Sequence, residues 1–140
     1  MNDIAAVIGL AQLELLENDN EVRRCLAADY HTLLRGMPEI ETPVEPEYTR
    51  SVWHNYVVKV PAHLREGLNQ FLASKGVSTG VHYEPIHHHE VFKGKCRAEG
   101  LEVTEKVWPK LLTLPMFPEL TLQDQERIVG LIRTYLDEQL

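Results

Sequence analysis

At 140 residues, with 44% hydrophobic and 25% charged side chains, the chain has the size and composition of one ordinary globular domain, which excludes disordered and fibrous classes. Asp and Glu outnumber Lys and Arg by 21 to 14, and the net charge of -7 lacks the basic footprint of a protein that binds nucleic acid or an anionic membrane surface. Its 2 cysteines, Cys25 and Cys96, form no CxxC pair, so neither a disulfide scaffold nor a thiolate zinc site is expected, and a reducing cytoplasm is the expected compartment.

The opening MNDIAAVIGLAQLELLEND has no basic region, and its apolar residues are spaced for a helix face rather than run together, which argues against a signal peptide or a membrane span. Asn2 or Asp3 can cap a helix that begins at once, as though the chain started in mid-fold. Ile4, Ile8 and Leu15, flanked by Val7, Leu10, Leu13 and Leu16, predict a first helix ending near Asn18-Asp19-Asn20. Val22, Leu26, Tyr30 and Leu33 predict a second, terminated by Gly36 before Met37-Pro38. PEIETPVEPEYTR then reads as an extended surface loop, too rich in proline for a helix or a central strand.

Residues 52–60, VWHNYVVKV, form the clearest predicted strand, with Val52, Tyr56, Val58 and Val60 on one face and Trp53, Asn55 and Lys59 on the other. Pro61 suits a first helical turn; Leu64, Leu68, Phe71 and Leu72 form a stripe; and Gly76 closes that helix before a second strand, VSTGVHYE. IHHHEVFKGKC shows no period. A helix around Ala98 to Trp108, a short strand LLTLP and a C-terminal helix follow, the last opening on Thr121 and Asp124 in the spacing of a capping box and carrying Ile128, Ile132, Tyr135 and Leu136 on one face. The expected fold is α/β or α+β, about three strands covered by helices, in one domain over residues 1–140.

His82, His87, His88 and His89 place 4 imidazoles within 8 positions, and neutral imidazole is a ligand for zinc, copper or nickel. The spacing does not favour metal: adjacent histidines on a strand and loop send their side chains in different directions, and neither an HExxH helix nor a clear Cys/His/carboxylate set accompanies them. The plainer alternative is a solvated loop whose histidines make ordinary hydrogen bonds. Cys25, beside Leu26 on a helix stripe, reads as a buried structural thiol, and no nucleophile elbow or glycine-rich phosphate loop is present. Trp53 with Tyr56, and Trp108 with Phe117, read as core aromatics.

MNDIAAVIGLAQLELLE, RRCLAADYHTLL, SVWHNYVVKV, GVSTGVHYEPIH and LLTLPMFPELT resemble successive landmarks of the DegT/DnrJ/EryC1/StrS sugar aminotransferases, in family order and over nearly the whole chain. The combination of VHY-x-P-x-H with L-x-L-P-x-F-P carries most of the specificity. The resemblance implies the C-terminal small domain of a fold-type I aminotransferase, homodimeric and dependent on pyridoxal phosphate (PLP), that moves an amino group onto a keto-sugar nucleotide.

In that family the cofactor lysine belongs to a large domain, and none of Lys59, Lys75, Lys93, Lys95, Lys106 or Lys110 lies in a matching motif. The resemblance therefore implies no catalytic residue and no cofactor site in these 140 residues, a segment 1–35 that bridges to the large domain, and a chain inactive alone. It also implies that at least one of His82, Tyr83 and His87 contacts the sugar or diphosphate; a core Tyr83 beside Val77, Thr79 and Val81, and a loop His87, are the plainer alternatives. His88 and Glu90 fall at variable positions and receive no role. Two other functions stay open: a module that self-associates through the stripe Ile4, Val7, Ile8 and Leu15, and a histidine-based metal-binding domain.

Overall fold

The structure, a computed structural model, describes residues 2–95 and 97–139; Cys96 lies outside them. Among the described residues four α-helices surround a two-stranded antiparallel sheet, in the order α1 (Asp3–Leu33), β1 (Tyr56–Lys59), α2 (Ala62–Ser74), α3 (Glu102–Val107), β2 (Leu111–Leu114) and α4 (Leu122–Gln139). None of these helices is long and apolar enough to cross a membrane.

The two helices predicted up to Gly36 are one. α1 runs unbroken for 31 residues through Asn18-Asp19-Asn20, about 46 Å at 1.5 Å per residue. Asn and Asp each cost only about 0.7 kcal/mol against Ala inside a helix, too little to end one without Gly or Pro. The Asn2 side-chain oxygen secures the first turn by accepting the Ala5 N–H at 2.8 Å, and Gly36, at φ +85°, ends the α1 turn as the sequence predicts. Only the second half of α1 meets the core, through Leu26, Ala27 and Tyr30. Cys25 is exposed, contrary to the expected buried thiol, because one residue's step turns it about 100° away from Leu26.

β1 pairs with β2 in the register Tyr56↔Leu114, Val57↔Thr113, Val58↔Leu112 and Lys59↔Leu111. The predicted strand over 52–60 is shortened because Trp53 sits at φ +46°, outside extended backbone. Tyr56, Val58 and Val60 share the buried face as predicted, but ahead of β1 the faces are exchanged: Val52 is exposed, and the Trp53 ring turns into the core against His31 and Tyr56, with centroids 5.6 and 5.9 Å away. The third predicted strand is reduced to a single bridge, Gly80↔Thr113, on the free edge of β2, and Glu41↔Lys59 extends the sheet by one bridge beyond β1. Residues 81–84 bury no side chain fully, so little apolar burial holds them in a strand beside β2. Because both pairings with β2 are antiparallel, the Gly80 segment runs parallel to β1 with β2 between them.

α2 contributes Leu64, Leu68 and Leu72 to the core, and α4 contributes Ile128, Val129, Ile132 and Leu136. Buried Gln125 ties α4 to α1 by donating from Nε2 to the Leu26 carbonyl at 2.8 Å. The capping box forms as predicted: the Asp124 N–H donates to Thr121 Oγ1 and the Thr121 N–H to Asp124 Oδ2, both at 3.1 Å. The Thr121 hydroxyl, donating to Asp124 Oδ2 at 2.5 Å, and then the Thr121 N–H hold the Asp124 carboxyl below its ordinary pKa. The helix predicted from Ala98 begins only at Glu102, after Gly100 at φ +70°, and closes in a short 3-10 turn, Trp108–Lys110, where Pro109 has no N–H to continue it. Trp53 and Tyr56 are core residues, whereas Phe117 is exposed and Trp108 half-buried, so the second aromatic pair is not a core pair.

Candidate functional site

The loop leaving Gly80 carries all three residues implied to face substrate, and the sheet edge positions the first of them. The Gly80 N–H donates to the Thr113 carbonyl at 3.0 Å and the Thr113 N–H to the Gly80 carbonyl at 2.7 Å. Two residues on, His82 Nδ1 lies 2.8 Å from Thr113 Oγ1, so β2 fixes both the backbone and the imidazole. The ring lies over Gly80: a Cβ there would stand 2.4 Å from His82 Cε1, and only glycine leaves that space. The Tyr83 ring meets the His82 ring edge-on at 4.8 Å and is 78% exposed, which overturns the alternative of a core tyrosine. Beside it, Val103, Val107, Trp108 and Leu111 line a shallow, apolar groove of about 290 Å³.

His87 does not share that surface. It and His88 lie on a single 3-10 turn, Ile86–His88, and both point Nε2 at one carboxylate of α3. His87 Nε2 is 2.5 Å from Glu105 Oε1, and His88 Nε2 is 2.9 and 3.1 Å from the two Glu105 oxygens. Hydrogen bonds from His87 and then His88 hold the Glu105 carboxyl below its ordinary pKa. His88 packs edge-on against Trp108 at 5.1 Å, and Trp108 in turn lies under the Arg65 guanidinium. His89 turns the other way, 3.8 Å from Glu84. The expected divergence of adjacent histidines thus holds for His89 and not for His87 and His88.

Glu105, Thr113 and Gly80 are site residues that sequence reasoning missed. Glu105 and Thr113 lie 18 and 31 residues from their histidine partners, and only the packing of α3 and β2 brings them close. Gly80 carries a local signal, an isolated glycine in a strand pattern, which marks close approach of another group.

A PLP site requires a lysine in a cavity with a carboxylate for the ring nitrogen and donors for the phosphate. Lys59 pairs with Glu41, Lys93 pairs with Glu90, and the Lys75 ammonium lies over the Phe71 ring at 5.4 Å. The concavities are lined instead by residues such as Val77, Asp124 and Arg127, or Arg24, His31 and Arg35. The described residues do not fit the cofactor, and no chemical step through it follows from them.

Helices around a short antiparallel sheet make an α+β fold that matches part of an aminotransferase of known structure. The profile of the DegT/DnrJ/EryC1/StrS aminotransferase family matches residues 1–133, and the chain belongs to this family. It is similar to the aminotransferase TlmJ from Streptoalloteichus hindustanus, at 28% identity and a TM-score of 0.91 over 100% of this chain and 38% of that one. A family aminotransferase from Brucella abortus is 32% identical with a TM-score of 0.78, over 90% of this chain and 33% of that one. DesV of S. venezuelae, solved in complex with a ketimine intermediate, is 31% identical with a TM-score of 0.81, over 94% of this chain and 35% of that one. The chain therefore spans little more than a third of the length of the solved proteins it matches.

Proposed function

We propose that these residues form the C-terminal small domain of a PLP-dependent aminotransferase acting on a keto-sugar nucleotide, with the cofactor lysine on a large domain outside the 140 residues. The observation that supports this best is the pairing of a fixed His82 with an exposed Tyr83 in a segment that matches the family. Tyr83 offers a hydroxyl with no hydrogen bond among the described residues, and His82, held at Nδ1 by Thr113, presents Nε2. These two are suited to orient a sugar hydroxyl or a diphosphate oxygen, whereas the imidazole of His87 is already engaged by Glu105. In the enzyme carrying both domains, Tyr83→Phe and His82→Ala are expected to raise the Michaelis constant for the sugar nucleotide about tenfold, the equivalent of about 1.4 kcal/mol. Unchanged constants in both variants, and in His87→Ala, would remove the substrate-edge assignment. The 140-residue chain alone, mixed with PLP and borohydride, is expected to show no specific trapping at one lysine; stoichiometric labelling of a single lysine would overturn the placement of the cofactor lysine elsewhere.

The first half of α1 exposes Ile4, Val7, Ile8, Leu10, Leu13, Leu15 and Leu16, between 44% and 74% of each side chain open. On this reading they pack on the large domain, with residues 1–35 as the bridge. The same stripe supports a second reading, a module that self-associates, since so large an apolar face is rarely left bare. Sedimentation at several concentrations separates the two: a monomer throughout rules out self-association.

A further inference from the structure

We propose that His87, His88 and Glu105 form a binding site for a divalent first-row transition-metal ion, with zinc the ion that the donor set suits. Each of the three offers one ligand atom, and these atoms lie within 4.8 Å of one another. Two imidazole nitrogens and a carboxylate oxygen make a three-donor set that leaves a coordination position for water. Around zinc, ligands at about 2.0–2.1 Å in tetrahedral arrangement stand about 3.3 Å apart. The present separations of 2.5 and 2.9 Å between each Nε2 and Glu105 Oε1 need only open by less than about 1 Å to admit the ion.

The surrounding fold holds the donors in place. His87 and His88 share one 3-10 turn, closed by the His88 N–H donating to the Pro85 carbonyl at 2.9 Å. Glu105 stands on α3, its N–H donating to the Leu101 carbonyl at 2.9 Å, and Trp108 backs the His88 ring. The histidine side chains are only 19% and 27% exposed, while Glu105 at 46% leaves a path for the ion to enter. Coordination requires each Nε2 as a lone-pair donor with its proton on Nδ1, and no hydrogen bond among the described residues holds Nδ1 as an acceptor against that tautomer. His89, turned toward Glu84, stays outside the site.

The test is titration of the 140-residue chain, prepared without a His tag, with zinc chloride at pH 7.5, followed by calorimetry and elemental analysis. One zinc per chain is expected. His87→Ala, His88→Ala and the conservative Glu105→Gln should each weaken binding at least tenfold, and His89→Ala should stay within twofold. Circular dichroism of the metal-free variants checks that each is folded; a histidine variant that is not is replaced by the corresponding Gln substitution, and Glu105→Gln by Glu105→Ala. Uptake of less than one zinc, or a loss below tenfold in any of the three variants, overturns the site. The assay contains neither PLP nor sugar nucleotide, so its outcome is independent of the aminotransferase reading.

Discussion

Tyr30 of α1 and Tyr56 of β1 stack at 4.9 Å in the centre of the core, both with no exposed surface, and they differ in one respect. The Tyr30 hydroxyl donates to the Pro115 carbonyl at 3.0 Å, whereas the buried Tyr56 hydroxyl has no partner among the described residues. Tyr→Phe removes the same single oxygen at either place, so ring burial and stacking cancel in the comparison. Tyr30→Phe breaks a bond and strands the carbonyl, at a cost of about 1–3 kcal/mol. Tyr56→Phe removes an unpaired polar group whose burial itself costs about 1–3 kcal/mol, so the variant should be neutral or more stable. The difference of at least about 1 kcal/mol should be read by urea unfolding of both variants, with equal m-values confirming a common two-state transition. At about 3 °C per kcal/mol for a chain of this size, thermal melting should separate the variants by about 3 °C or more. Equal destabilisation by the two changes would refute the assignment of an unpaired Tyr56 hydroxyl.

Gly80→Ala should displace the His82 imidazole, since the added Cβ would stand 2.4 Å from Cε1, and the Thr113 contact should be lost with it. Combined with His82→Ala the clash disappears, so the two changes should be non-additive by about 1 kcal/mol in a double-mutant cycle; additive losses would show that the ring does not occupy that space. Arg24, and then the Ser51 N–H, hold the Glu45 carboxyl below its ordinary 4.5. A depressed folded pKa contributes stability above pH 4.5 that is lost as pH falls through the folded value, so the wild type should lose stability on acidification more steeply than Glu45→Gln. Parallel curves for the two proteins between pH 6 and pH 3 would rule out that contribution.

Features governed by neighbours in the chain were legible in the sequence. The Thr121–Asp124 cap, the stop at Gly36, the α2 stripe ending at Gly76 and the apolar β-branched core of β1 all depend on contacts within a few residues, and each lies where the pattern places it. The family was legible for the same reason, because its motifs are local strings that match over residues 1–133. Tertiary packing decided what local preference left near balance. The helix-weakening residues at 18–20 cost too little to break α1, and Trp53 left extended geometry while its ring entered the core. The 77–84 strand kept one bridge because none of its later side chains is fully buried. The approach of Thr113 to His82, and of Glu105 to His87 and His88, exists only once β2 and α3 fold back on the loop, since contacts spanning 17 to 31 residues leave no periodic trace in the chain.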